Sequence, residues 1–327
     1  MASPDRHTDR LIWATIVAVG MIVALSPLVS GFRFETDTFI IPVSVSLGLI
    51  LGAWFYRHWR RDLRLACALE CTAQVTLFAA VGAPLSYLAA SANLPLWDHG
   101  LDAIDKAMGF DWETLLNALN GSPRLYHALA LFYGSLTLQM IAAVLCLGFT
   151  GRLAGLRIYT LAFVIAVLST IAISAVLPAA GVWPHHGYAT SGSQQLIPAV
   201  KDSWPVFYGI RDGSFRSLVA VGAQGIITFP SLHAALAVII LLALWPMPRV
   251  RWIAAGFSLA TLAATPIDGS HYLIDIFAGI ILAFASFGAA LVIYRHLQRP
   301  HEPEPQSSKT AVGGRPSLRP HQGPAAP

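Results

Sequence analysis

HYLIDIFAGIILAFASFGAALVIY, residues 271–294, decides the fold class of this chain. The run is apolar and long enough to cross a bilayer core, which takes roughly 20 such residues in a helix. Yet it opens on His271 and carries Asp275 one helical turn later, a spacing that puts both side chains on one helix face. A second run starts alike: Phe229-Pro230-Ser231-Leu232-His233 leads into apolar residues that continue to 246. Ionisable groups at the ends of membrane helices are costly to bury and mark functional sites.

Outward from these two stretches, the sequence reads as a polytopic all-α membrane bundle of about eight transmembrane helices. The apolar runs cover residues 11–31, 39–56, 66–90, 127–149, 157–178, 227–246, 251–267 and 271–294. Composition agrees. Of 327 residues, 55% are hydrophobic and only 12% charged, against about 25% charged in soluble domains. Cys67, Cys71 and Cys146 all fall in apolar runs and read as small buried hydrophobes, not as a disulfide framework. The net charge of +4 is spread along the chain, which argues against a nucleic-acid partner.

The cations set an orientation. With eight spans and a cytoplasmic N-terminus, fifteen of the 21 Lys and Arg residues fall on the cytoplasmic side, at least two in every inner segment. That is the positive-inside pattern. It places both termini in the cytoplasm of a multi-pass cell-membrane protein, and the starts of the sixth and eighth spans on the extracytoplasmic side. The first run reads as an uncleaved signal-anchor, because no small-x-small cleavage site follows it. Three regions result: an N-terminal transmembrane pair (1–64), a membrane core (65–297), and a tail (298–327) whose Pro, Gly and charge predict disorder.

Two outer segments are long. In the first, Asp98, Asp102 and Asp105 alternate with Leu101, Ile104 and Met108, which predicts an amphipathic helix on the outer membrane surface. In the second, His185 and His186 read as interfacial polar residues. Arg211 and Arg216 read as phosphate-binding groups, since guanidinium grips phosphate oxygens in pairs.

The two signatures suit phosphoryl transfer. Pro230 fits the first turn of a helix, which puts Ser231 and His233 beside free backbone N–H groups that favour an anion. Ser270 reads as the N-cap of the eighth span. Asp275 holds one ring nitrogen of His271, leaving the other as nucleophile. His233 serves as general acid and then general base, and Ser231 joins the arginines in binding phosphate. The catalytic set is therefore His233, His271 and Asp275, and no cofactor is expected.

At Pro230-Ser231-Leu232-His233 and His271-Tyr272-Leu273-Ile274-Asp275 the chain resembles the type 2 phosphatidic acid phosphatase superfamily, which pairs such motifs across six core helices. The resemblance implies a metal-independent membrane phosphatase or phosphotransferase, with His271 as nucleophile, Asp275 as its orienting partner and His233 as acid. Ala264 and Thr265 stand where the superfamily usually carries Ser-Arg, and the Lys-x6-Arg-Pro motif is absent. Those absences, with Leu177-Pro178-Ala179-Ala180-Gly181, Arg211-Asp212-Gly213, Gly225-Ile226-Ile227-Thr228-Phe229 and Asp105-Lys106-Ala107-Met108-Gly109-Phe110-Asp111-Trp112, resemble the inositolphosphotransferase branch of the inositol phosphorylceramide synthase type. The implied substrate is a lipid phosphate. The implied acceptor is inositol or another polyol or sugar hydroxyl; water as acceptor gives a lipid phosphate or prenyl diphosphate phosphatase instead. Two readings of other classes compete. A transporter or scaffold lacks support because no internal repeat is present. A metal-dependent phosphatidyltransferase needs clustered carboxylates, and no Asp or Glu occurs between Gly213 and Ile267.

Overall fold

The computed structural model describes residues 5–188 and 196–298. Helices dominate it because a helix satisfies its own backbone polar groups, as lipid requires. The chain opens with α1 (Asp5–Leu25), the single turn α2 (Pro27–Ser30), the two-residue strand β1 (Arg33–Phe34) and α3 (Asp37–His58). Next comes α4 (Leu63–Ala90), capped by Asp62, which accepts from the N–H groups of Arg64 and Leu65. An outer segment holds α5 (Asp98–Ala107) and α6 (Trp112–Asn120). Helices α7 (Pro123–Gly134) and α8 (Leu136–Phe149) run on from each other with a 49° bend. After α9 (Leu153–Val176), a second outer segment holds α10 (Val182–His185), α11 (Ser203–Asp212) and β2 (Ser217–Leu218). Three more helices follow: α12 (Leu232–Leu244), α13 (Arg251–Asp268) and α14 (Leu273–Leu297).

The fold is the expected all-α polytopic bundle. Among the described residues, five helices are long and apolar enough to cross a membrane, six if the bent α7–α8 pair is counted as one span. The other two expected runs fold differently. Run 227–246 yields a helix of 13 residues, because the chain is already inside the protein at Ser231, the buried N-cap. Run 251–267 yields α13 of 18 residues, with Ser258, Thr261, Thr265 and Asp268 buried along it.

Helix α9 is the centre of the bundle, packed against α4, α12 and α14. It is apolar on nearly every face, as a fully surrounded helix must be. Helix α3 packs on α4 at the periphery and exposes Ile40, Ile41, Leu51 and Trp54. The parallel pair β1–β2 ties the loop after α1 to the segment that leads into α12.

The basic loops share one end of the molecule. The Arg64 guanidinium lies against Gly151, and Arg152 Nη2 donates to the Pro246 carbonyl at 3.2 Å. Two ion pairs stand there as well: Arg57–Glu70 at 2.5 Å, and buried Arg157 on both oxygens of Asp9 at 3.1 and 3.2 Å. Helices α5, α6, α10 and α11 form a cap at the opposite end, where α5 packs on α10 and meets the start of α14. Of the tail expected from residue 298, only Gln298 lies among the described residues.

Candidate active site

The turn 269–272 brings the second signature into place. Ser270, expected as a helix N-cap, instead adopts a left-handed backbone at φ +58°, and the N-cap is Tyr272. The reason is competition: Ser270 is already engaged by α10, accepting the Val182 N–H on its carbonyl and the Trp183 N–H on its hydroxyl. Trp183 Nε1 donates to the Ile267 carbonyl at 2.8 Å, and Trp112 Nε1 to the Pro266 carbonyl at 3.0 Å. The Trp112 bond engages a carbonyl in the last turn of α13, and the Trp183 bond adds to the Ser270 N–H that the Ile267 carbonyl already accepts at 3.3 Å.

Helix α5 fixes the start of α14. Asp105 accepts from Leu273 N at 2.6 Å and from Ile274 N at 2.9 Å. Asp98 accepts from Ala180 N, from Gly181 N at 2.8 Å and from the Tyr272 hydroxyl at 2.9 Å. Asp98 and Asp105 are buried, while Ile104 and Met108 are 45% exposed each. The amphipathic helix is therefore present, but Asp98 and Asp105 turn inward together with Leu101, and Ile104 and Met108 turn outward. Carboxylates on free N–H groups at helix starts are a favourable arrangement. Burial pushes the Asp105 carboxyl above the usual aspartate range, in spite of the Ile274 and Leu273 bonds that oppose it.

His271 lies two residues before α14. Its Nδ1 is 3.2 Å from Asp275 Oδ2, which also accepts the Tyr272 N–H at 2.9 Å. With Asp275 ionised, the ring proton sits on Nδ1 and Nε2 carries the free lone pair. Nε2 faces Ser231 Oγ at 3.2 Å, and Ser231 Oγ accepts from Ala234 N at 3.3 Å. The two signatures also meet through their backbones: Ser231 N–H donates to the Asp275 carbonyl at 3.1 Å. Gly279 permits this approach, because a Cβ there would fall on the Ser231 carbonyl oxygen.

His233, in the first turn of α12, stacks on Tyr133 of α7 with ring centroids 4.2 Å apart and planes at 8°. His233, His271, Ser270, Tyr133 and Thr228 all line one cavity of about 880 Å³. From the histidines it extends along apolar side chains of α4, α8 and α9, including Val75, Ala79, Met140, Val144 and Phe163. No Lys, Arg, Asp or Glu is among its described lining residues.

Arg211 and Arg216 do not line that cavity. Arg211 Nη2 donates to the Leu94 carbonyl at 2.6 Å, with its guanidinium 5.4 Å from the centre of the Phe207 ring. Burial holds its pKa below the usual arginine value. Arg216 Nη1 donates to the Ile210 carbonyl at 3.1 Å and its guanidinium sits over Phe32. Both arginines thus fasten the cap in this structure. Ser231 is not among the cavity-lining residues either, but its Oγ stands 3.2 Å from His271 Nε2. Sequence reasoning missed Tyr133, Asp98 and Asp105 as site-shaping residues. An aromatic in an apolar run carries no signal, and the two aspartates showed their helix face but not what it would meet.

No curated protein and no solved structure matches this chain. The family model for the PAP2 superfamily matches residues 99–289, from the acidic outer helix through most of α14. That stretch contains both histidines, the Asp275 partner and the cap that positions them, and the chain belongs to the PAP2 superfamily.

Proposed function

We propose that the chain acts on a lipid-linked phosphate through a phosphohistidine intermediate. PAP2 membership supports the coarser activity, a phosphatase or phosphotransferase of lipid-type phosphate. The observation that carries the finer reading is the cavity itself: His233 and His271 stand at its polar part, and apolar side chains of α4, α8 and α9 line the rest. A phosphate attached to an acyl or prenyl chain fits that division.

In the first step His271 Nε2 attacks phosphorus and the bond to the leaving oxygen breaks, with His233 supplying a proton to that oxygen. Asp275 stabilises the positive charge that develops on the His271 ring. In the second step His233 takes a proton from the acceptor hydroxyl, whose oxygen displaces His271. Ser231, Ser270 and backbone N–H groups at the start of α12 would hold the phosphoryl oxygens. Arg211 and Arg216 would join them only by leaving their carbonyl partners. The chemistry we infer is metal-independent, as the sequence resemblance implies, and no carboxylate stands among the described lining residues.

Transfer to inositol or a similar polyol is the preferred acceptor reading, resting on the sequence resemblance; water is the alternative. Purified protein incubated with a labelled lipid phosphate panel, with no Mg²⁺ added and with or without inositol, separates the two. A labelled alcohol phosphate indicates transfer, and free phosphate alone indicates hydrolysis. Acid-labile, base-stable label trapped on the wild type but absent from His271→Ala would support the phosphohistidine; label retained on that variant would refute it.

A further inference from the structure

The cap carries a cluster of ligand atoms that the reaction does not use. Asp102 of α5 faces His185 and His186 at the end of α10. His186 Nε2 is 3.4 Å from Asp102 Oδ1, and His185 Nε2 is 3.7 Å from Asp102 Oδ2. The three donor atoms all lie within 4.8 Å of one another. We propose that Asp102, His185 and His186 form a divalent transition-metal site, best suited to Zn²⁺, that staples α5 to α10.

The chemistry of the donor set comes first. Two imidazoles and one carboxylate are a common three-ligand set for zinc, with a water in the fourth position. Zinc bonds of about 2.0–2.1 Å put tetrahedral ligand atoms about 3.3 Å apart. The observed spacing therefore needs only a modest contraction, within reach of side-chain rotation.

The surroundings supply a second argument. His186 Nε2 is buried and makes no hydrogen bond although Asp102 Oδ1 is 3.4 Å away, so a desolvated polar atom is left without the partner that an ion would supply. The other nitrogen of that ring, Nδ1, is 3.4 Å from Glu113 Oε1, and the ring lies flat against Trp112 at 5.4 Å and 17°. A carboxylate behind a ligating histidine is the usual outer partner at metal sites, fixing tautomer and ring orientation. Tyr188 in turn donates to Glu113 Oε1 at 3.3 Å.

One group opposes the ion. The Lys106 ammonium sits 2.6 Å from Asp102 Oδ2, but its side chain is 57% exposed and free to swing away. Lys106 thus acts as a built-in competitor for the site. The site lies outside the cavity, since none of its three ligands is among the cavity-lining residues. It touches the reaction only through position: the His185 ring stands 6.1 Å from that of Tyr272, the residue after His271.

The test uses purified full-length protein, stripped with a chelator, equilibrated with Zn²⁺ alone and desalted. Elemental mass spectrometry should find about one zinc per chain in the wild type and in His271→Ala. It should find less than a tenth of that in Asp102→Asn and in the His185→Ala/His186→Ala double variant. Zn²⁺ should raise the melting temperature of the wild type but not of Asp102→Asn. Lys106→Met, a change on an exposed side chain, should bind zinc roughly tenfold more tightly in a chelator competition, because the competing charge is gone. No zinc on the wild type, equal zinc on Asp102→Asn, loss of zinc in His271→Ala, or weaker binding in Lys106→Met would each overturn the proposal.

Discussion

At the scale of single residues, His271 and Asp275 make one unit and His233 another. His271→Ala removes the proposed nucleophile and His233→Ala removes the only other imidazole among the described cavity-lining residues. Each should abolish turnover while leaving a protein that inserts and elutes as a single species. Asp275→Asn should lower kcat by about a thousandfold and still leave measurable turnover, because the amide misorients the ring without deleting it. Near-normal kcat in either histidine variant would remove the assigned roles. This dyad was legible in the sequence because its geometry is local: four residues on a helix fix which side chains meet. The stack of His233 on Tyr133 was not legible, since it joins positions 100 residues apart on different helices. The Ser270 turn was misread for a related reason. Its hydroxyl and carbonyl are claimed by α10, and no local pattern announces that distant demand.

At the scale of elements, the cap holds the reacting turn by helix starts and close backbone contacts. Asp105 shows how this couples to pH. Its folded pKa is raised by burial, so its stabilising contribution is fully present below the ordinary aspartate pKa and is lost as pH rises through the elevated value. Asp105→Asn should therefore flatten the fall in melting temperature over that acid range. It should also cost about 1–3 kcal/mol throughout, because an amide can accept only one of the two N–H groups of Leu273 and Ile274. Thermal unfolding across a pH series checks both effects; an unchanged slope would deny Asp105 this role. Gly279→Ala addresses the α12–α14 contact. The added methyl must displace Ser231 and with it the hydroxyl facing His271. Overpacking of this kind costs about 1–3 kcal/mol, and a shift near 1 Å at a reacting group costs about a hundredfold in rate. A folded variant with unchanged kcat would show that the two helices have slack. Periodicity alone gave α5 its two faces, yet it left open which face would be covered. The N–H groups that Asp105 caps lie 168 and 169 residues further along, and those that Asp98 caps 82 and 83.

At the scale of the whole molecule, the sorting of charge predicts an orientation. Loops at 60–64, 150–153 and 246–250 gather at one end, around Arg64, Arg152 and the Pro246 carbonyl. The histidines and the cap are at the other. If the basic end faces the cytoplasm, as the excess of arginine there predicts, Ser122→Cys should react with an impermeant thiol reagent added outside intact cells, and Arg249→Cys only after permeabilisation. The reverse pattern would invert the topology. Hydropathy made the class of fold legible, because lipid leaves a chain few alternatives to helices. It overstated the evenness of the helices. The 49° bend between α7 and α8 and the short α12 arise where polar groups find partners inside the protein, which hydropathy does not register. The long greasy channel beside the histidines has a practical corollary for whoever purifies this enzyme. An alkyl detergent monomer matches its walls as well as a natural acyl tail does, so rates measured in micelles will be competition experiments. Apparent affinity for substrate should weaken as detergent chains lengthen, and recover on transfer to bilayer nanodiscs.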